Sequence, residues 1–176
     1  GNTTPTAEWN FWVDPHAAAD VFDMTPTPIT LCSLGVTEKM LLEPERLEGV
    51  VARLGASPIA QHLGDIVRFY FEFHEEVGEG YRAQIHDLLT VLIALGAVDV
   101  EHCLTTIAVE ADSDLTRGTS VADLRDIWER EPNARLVTAA DIDAAWESFD
   151  WACEIHARVV AGDASLMELR HLKADD

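Results

Sequence analysis

Pro28-Ile29-Thr30-Leu31-Cys32-Ser33-Leu34-Gly35 decides the fold class. Ile29 to Leu34 is a β-prone run bounded by proline and glycine, too short for a helix, and it reads as a buried strand. On its amino-terminal side the signals are helical. Asp14 is an N-cap residue type and Pro15 suits the first helical position. Val13, Ala17, Val21 and Phe22 recur at helical spacing as far as Met24. Thr25-Pro26-Thr27-Pro28 stops that run, because proline excludes helical continuation. A helix leading into a buried strand, with further helices behind it, is α/β material.

The same signals continue downstream. Thr37 and Glu38 start a short helical turn. Pro44 opens a second helix with Leu47, Val50, Val51 and Leu54 on one face and Gly55 as its stop. A long helix is predicted from Pro58 to about Val77, with Ile59, Leu63, Ile66, Val67, Tyr70 and Phe73 as its apolar stripe. Gly78-Glu79-Gly80 breaks it and reads as a flexible hinge. Ile85-His86-Asp87 enters a very apolar helix, Leu88 to Leu95. His102 to Glu110 reads as a strand, Thr119 to Leu124 as its partner, and Asp112 to Gly118 as the turn between them. Asn133 to Val137 is one more strand. A final helix is expected from Thr138 through Val160, with Ile142, Trp146, Phe149, Cys153 and Ile155 facing inward. Residues 165–176 are polar and read as an exposed tail. Nothing marks a domain boundary or a repeat, so 1–176 is read as a single domain, or half-domain, with one continuous core.

The chain has 176 residues, 48% of them apolar and 25% charged. That supports a packed core and excludes a disordered chain. Its formal net charge is −20 at neutral pH. Such a balance argues against nucleic-acid backbones and anionic membrane surfaces as partners. The longest apolar stretch, Leu88 to Val98, is interrupted by Thr90 and Gly96 and falls short of the roughly 18–20 residues that a membrane helix needs. Three scattered cysteines, Cys32, Cys103 and Cys153, contain no CxxC pair. They read as reduced thiols, with the cytoplasm as the default compartment.

Two groups of residues are candidates for chemistry. Asn2, Glu8 and Asn10 place two carboxamides and a carboxylate on a short polar stretch, Gly1 to Asn10, a mixture suited to a polyhydroxylated ligand such as a sugar. Asparagine and threonine are also ordinary turn formers and caps, and composition alone favours that reading. His86-Asp87 offers a proton donor beside a hard oxygen ligand at a helix entry. Taken alone, the pair reads more simply as a helix cap next to a partly buried histidine.

Taken together, the residues carry more. Gly1-Asn2, Thr4-Pro5, Ala7-Glu8-Trp9-Asn10, Asp14-Pro15 and Ala17-Ala18, then the Pro28-Ile29-Thr30 strand, Val36-Thr37, and His86-Asp87 before an apolar helix form a pattern. It resembles the nucleoside hydrolases, the inosine–uridine-preferring N-ribohydrolases. Leu115-Thr116-Arg117-Gly118-Thr119-Ser120-Val121 and Asn133-Ala134-Arg135 are similar to that family's carboxy-terminal region. The resemblance spans nearly the whole chain and is most specific at Asn2 to Asn10.

The resemblance implies the carboxy-terminal half of an open mixed sheet with flanking helices. It also implies an enzyme that hydrolyses the N-glycosidic bond of ribonucleosides to ribose and free base, in purine or pyrimidine salvage. Asn2 and Glu8 match residues that bind the ribose 5′-hydroxyl, and Asn10 one that holds the ring hydroxyls near the metal. Asp87 matches a Ca²⁺ ligand and His86 the proton donor to the departing base. Tyr81, Phe73 or His74 stand where family members use a mobile aromatic against the base. Of these, core packing suits Phe73 better and a solvated surface suits His74. Ca²⁺ is the implied cofactor, and a homo-oligomer the implied assembly.

The family's metal motif, Asp-x-Asp-x-x-x-Asp-Asp, is absent from these residues, and Asp112-Ser113-Asp114 is its nearest imitation. Since Ca²⁺ takes about 6–8 oxygens, the site is incomplete in this chain. The missing amino-terminal half of the same fold is therefore an expected partner, and the chain by itself is expected to bind Ca²⁺ and nucleosides poorly. Two other readings compete. One is a non-catalytic ribosyl-binding or assembly module. The other is a metal-dependent phosphohydrolase with His62, His74 and His86-Asp87 on adjoining helices, which would make the protein all-helical.

Overall fold

The computed structural model describes residues 1–163; the expected tail at 165–176 lies outside them. The protein is mixed α/β and its described residues form two compact units. One comprises Gly1–Thr37 and Asp99–Ala140, the other Glu38–Val98 and the described residues from Asp141 onward.

The first unit is built on an open three-stranded sheet. Helices α1 (Trp9–Val13) and α2 (Pro15–Met24) precede strand β1 (Ile29–Cys32) and helix α3 (Leu34–Thr37). Asp14 caps α2 by accepting the Ala17 N–H at 3.0 Å, as its residue type and Pro15 predict. After β1 the chain returns in β4 (Val100–Thr105), β5 (Ile107–Val109), β6 (Ser120–Ala122) and β7 (Ala134–Ala140). The sheet order is β1-β7-β4, with β1 parallel and β4 antiparallel to the central β7. Strands β5 and β6 form a separate antiparallel pair. Phe22, Ile107 and Ala134 make the buried cluster of this unit, with Phe11, Ile29, Leu31 and Leu136 packed around it. Burial of Phe22 and Ile107 contributes about 1.5–3 kcal/mol each.

Helices dominate the second unit: α4 (Pro44–Leu54), α5 (Pro58–Glu76), α6 (His86–Ala94) and α7 (Ile142–Val160), with the short strands β2 (Leu41–Leu42) and β3 (Ala83–Gln84) paired antiparallel. Val50, Leu54, Ala60 and Cys153 form its buried cluster. Arg46 and Arg53 reach the same Asp150 oxygen, at 3.2 and 3.4 Å, which joins α4 to α7 beside that cluster. The buried Ser57 caps α5 through the Ile59 N–H and meets His156 Nε2 at 2.9 Å.

Several boundaries differ from the sequence expectation, each for a local reason. Helix α1 falls where the sequence suggests loop; it is only five residues long and its cap is Glu8, an unusual residue for that position. The turn expected to start at Thr37 instead ends there, because Val36 and Thr37 donate back to the Ser33 carbonyl. The run His102 to Glu110 is two strands in different sheets. Its break falls at Thr106, whose hydroxyl donates to the Arg130 and Glu131 carbonyls. Thr138 to Ala140, expected to open the last helix, extends β7 instead, since Ala139 and Ala140 pair with Glu101 and Val100. On α5 the covered residues are Ala60, Val67, Phe71 and His74, whereas Ile59, Ile66 and Phe73 are exposed.

The segment after β6 is closed by one carboxylate. Asp123 accepts the backbone N–H groups of Trp128 at 2.6 Å, Ile127 at 3.0 Å and Arg125 at 3.3 Å, around positive-φ residues Asp126 and Glu129. These bonds, those from Trp128 and Ile127 foremost, hold the Asp123 carboxyl below its ordinary value of 3.8. A depressed folded-state value means stabilisation that is present above pH 3.8 and is lost as the pH falls below it. Asp123→Asn is therefore expected to melt lower than wild type at pH 7, the gap closing as both are acidified through that value. Parallel melting curves from pH 7 to pH 3 check this; a gap independent of pH would mean that the charge contributes nothing.

Candidate active site

The opening loop of the first unit is tightly wound. Thr3 and Thr4 donate their N–H groups to the Ala7 carbonyl, and Thr4 Oγ1 accepts the Ala7 N–H at 2.9 Å. Asn2 Oδ1 accepts from Trp9 N at 3.0 Å, which leaves the carboxamide NH₂ to donate elsewhere. Glu8 Oε2 accepts the N–H groups of Asn10 and Phe11, at 2.9 and 3.2 Å, and so caps α1. Asn10 lies in the first turn of α1 with its side chain exposed. The turn and cap chemistry that asparagine and glutamate can perform is thus in use here, through one oxygen each of Asn2 and Glu8.

A second segment clamps this loop. The Arg117 guanidinium donates to the Trp12 carbonyl and lies 5.9 Å from the centre of the Trp12 ring. Thr119 Oγ1 donates to Thr6 Oγ1 at 2.8 Å. Between them Gly118, at φ 83°, lets its backbone approach Trp12 and Ala7. Glu110 holds the base of the same turn. Its carboxylate accepts from Ser113 N and Asp112 N, which lowers its pKa, Ser113 contributing most. The motif-like Asp112-Ser113-Asp114 is therefore an ordinary carboxylate-closed turn, with Asp112 4.0 Å from His16.

In the second unit, His86 is the first residue of α6 and is partly buried. Its neighbour Asp87 is exposed in the first helical turn, where the helix dipole favours a negative charge. Ile85, not Asp87, occupies the N-cap position, and its N–H donates to the Met40 carbonyl at 2.8 Å, which pins the helix entry to the residue before β2. Tyr81 lies on the approach, 42% exposed, with its ring edge-on to Phe71 at 5.2 Å. Together with Glu43, Glu45, Glu79 and Arg82 it lines an open cleft of about 570 Å³. Burial, then the negative charges of Asp87 and Glu79, push the Tyr70 phenol above its ordinary value.

Two of the three residues expected near the base exchange environments. Phe73, expected in the core, is 48% exposed; His74, expected at the surface, is 5% exposed. The apolar side chains of α5 cover a wide arc, and the sequence carries no signal for which edge of it is covered. Glu79, joined to His74 at 2.8 Å, is not among the residues that the sequence marks for the site.

Among the described residues no three His, Cys, Asp or Glu side chains stand close enough to hold a metal ion. Those residues do not supply a calcium cage on their own. Neither do His62, His74, His86 and Asp87 form the metal cluster that a helical phosphohydrolase would require, and the strands β1 to β7 contradict its all-helical fold.

Comparison with known proteins covers the same stretch of the chain. The family described as inosine-uridine preferring nucleoside hydrolase matches residues 1–147. The pyrimidine-specific ribonucleoside hydrolase RihA of Shewanella sp. strain ANA-3 is 33% identical over 144 residues, covering 80% of this chain and 44% of the relative. The non-specific ribonucleoside hydrolase RihC of Salmonella typhi is 30% identical over 161 residues, 90% of this chain and 48% of the relative. A purine-preferring ribonucleoside hydrolase from Gardnerella vaginalis shares the fold, with a TM-score of 0.74 at 21% identity over 88% of this chain and 48% of that one. The chain spans about half the length of the curated relatives it matches. With the match running from the opening loop through α6 and into α7, this chain belongs to the inosine-uridine preferring nucleoside hydrolase family.

Proposed function

We propose that this chain contributes the sugar-binding loop and the His-Asp pair to an enzyme that hydrolyses the N-glycosidic bond of ribonucleosides, giving ribose and free base. The observation that carries the reading is the family match over residues 1–147, which takes in Asn2, Glu8, Asn10, Tyr81, His86 and Asp87. Cleavage of an N-glycosidic bond develops positive charge on the sugar and negative charge on the departing base. Asn2, Glu8 and Asn10 bind the ribose hydroxyls and stabilise the first. His86 gives a proton to the base and relieves the second, an effect worth typically about 10²–10⁴-fold. Tyr81 faces the base.

Asp87 is the calcium ligand of this reading. A calcium ion bound there would orient the ribose hydroxyls and activate a water, with its remaining ligands expected from the amino-terminal half of the same fold. A homo-oligomer, a cytoplasmic setting and a role in nucleoside salvage complete the proposal. The test is release of reducing sugar from inosine and uridine by the chain alone and by the chain mixed with the part of Shewanella RihA outside the matched region. Turnover is expected in the mixture, and His86→Ala is expected to cut kcat there by about 10²-fold or more. Wild-type turnover in His86→Ala would remove the histidine from the mechanism, and an inactive mixture containing folded partners would overturn the two-half reading.

A further inference from the structure

We propose that Glu79 is a positioning residue for the base-facing side of the nucleoside site, fixing the turn that carries Tyr81; this rests on the role given to Tyr81 above. The turn contains its own source of freedom. Gly78 and Gly80, at φ 85° and 88°, flank Glu79, and glycines of that kind leave a chain many alternatives. Backbone bonds close the end of α5: Gly78 N donates to Glu75 O at 3.1 Å and Glu79 N to His74 O at 2.9 Å. This helix stop makes no demand on the side chain at position 79.

The Glu79 side chain nevertheless folds back onto the helix. Its Oε2 accepts from His74 Nδ1 at 2.8 Å and from Gln84 Nε2 at 3.3 Å, so it ties α5 to β3 across the turn. Arg82 Nε adds a bond to the Glu79 carbonyl at 2.8 Å. Tyr81 is thus held between fixed points on both sides. The histidine is informative because it is poorly placed for anything else. It is almost fully buried, 4.6 Å from the Tyr70 ring centre, and its Nε2 has no hydrogen-bond partner among the described residues. A buried imidazole with one nitrogen unsatisfied is a worse core residue than an apolar side chain of similar size. What the histidine gains in return is the bond to Glu79. Binding residues held this way by neighbours keep their geometry, and small displacements of such residues weaken function disproportionately.

The test uses Glu79→Ala, Glu79→Gln and His74→Phe, the last filling the buried position while removing the tie. Hydrogen exchange on the 176-residue chain is expected to quicken about tenfold or more at residues 79–85 in Glu79→Ala and His74→Phe, with α4 and α7 unchanged. Glu79→Gln, which keeps an acceptor oxygen, should fall between. Unchanged exchange in the turn, or an even rise over the whole unit, overturns the tie. In the reconstituted enzyme the same variants should raise KM for inosine and uridine about tenfold with kcat within about twofold. A loss confined to kcat overturns the assignment to the binding side. Should Tyr81→Ala leave KM unchanged while the exchange result stands, the role of Tyr81 fails and the tie survives.

Discussion

Gly118→Ala is expected to destabilise the first unit by about 4 kcal/mol, an effect read as a lower denaturation midpoint. An added Cβ would stand 2.7 Å from Trp12 Cα, 3.1 Å from Trp12 N and 3.2 Å from Ala7 Cβ. The two nearest atoms are backbone, so no rotamer change relieves the clash. The residue also sits at φ 83°, where an L side chain costs about 1–2 kcal/mol without any neighbour. Overpacking adds about 1–3 kcal/mol. Gly96→Ala separates the two contributions. Gly96 has φ 64°, and a Cβ added there meets nothing within 4 Å, so it should lose only the conformational part, about 1–2 kcal/mol. Equal losses in the two variants would mean that the loop and the turn do not touch in solution. On the proposed function, Gly118→Ala should also weaken nucleoside binding, because the displaced backbone carries Glu8 and Asn10 on its amino-terminal side.

The contrast between what could be read and what could not follows the range of the forces involved. Helices α2, α4 and α5 are legible because proline at the first position and a defined stop are local signals; Pro15, Pro44 and Pro58 each open one. Strand β1 is legible for the same reason. The split at Thr106 and the extension of β7 through Ala140 are not, because both are set by strand partners distant in sequence, and Ala139-Ala140 carries no strand preference. The residues proposed for the site divide in the same way. Asn2, Glu8, Asn10, His86 and Asp87 stand in recognisable motifs. The groups that hold their surroundings in place do not: Arg117 reaches Trp12 from a position far along the chain, and His74 looks like any polar residue on an apolar helix.

Asn133→Asp should be the second severe substitution, costing about 3 kcal/mol near neutral pH. Asn133 immediately precedes β7, and its carboxamide does for Ile107 what a neighbouring strand would do. Oδ1 accepts the Ile107 N–H at 2.7 Å while Nδ2 donates to the Ile107 carbonyl at 2.9 Å and, at 3.4 Å, to that of Phe22. Its own carbonyl takes the Ile29 N–H at 2.9 Å, so one residue joins α2, β1, β5 and β7. Because Ile107 is buried, its backbone groups have no water to fall back on. An ionised aspartate keeps the acceptor but turns the donor into a second acceptor facing two carbonyls. Two bonds of about 1 kcal/mol are lost, and the repulsion adds about as much as one of them. Asn133→Ala removes the repulsion but loses all three bonds, the acceptor for the buried Ile107 N–H included, and should cost about as much, about 3 kcal/mol. The pH dependence gives the sharper check. Carbonyl neighbours disfavour the charged form, so the new carboxyl titrates above the ordinary aspartate value of about 3.9. The stability of Asn133→Asp relative to Asn133→Ala should therefore be lowest at neutral pH and rise on acidification, as the protonated acid becomes able to donate to the Ile107 carbonyl. A difference between the two variants that stays constant from pH 7 to pH 4 would show that the side chain at 133 does not face those carbonyls.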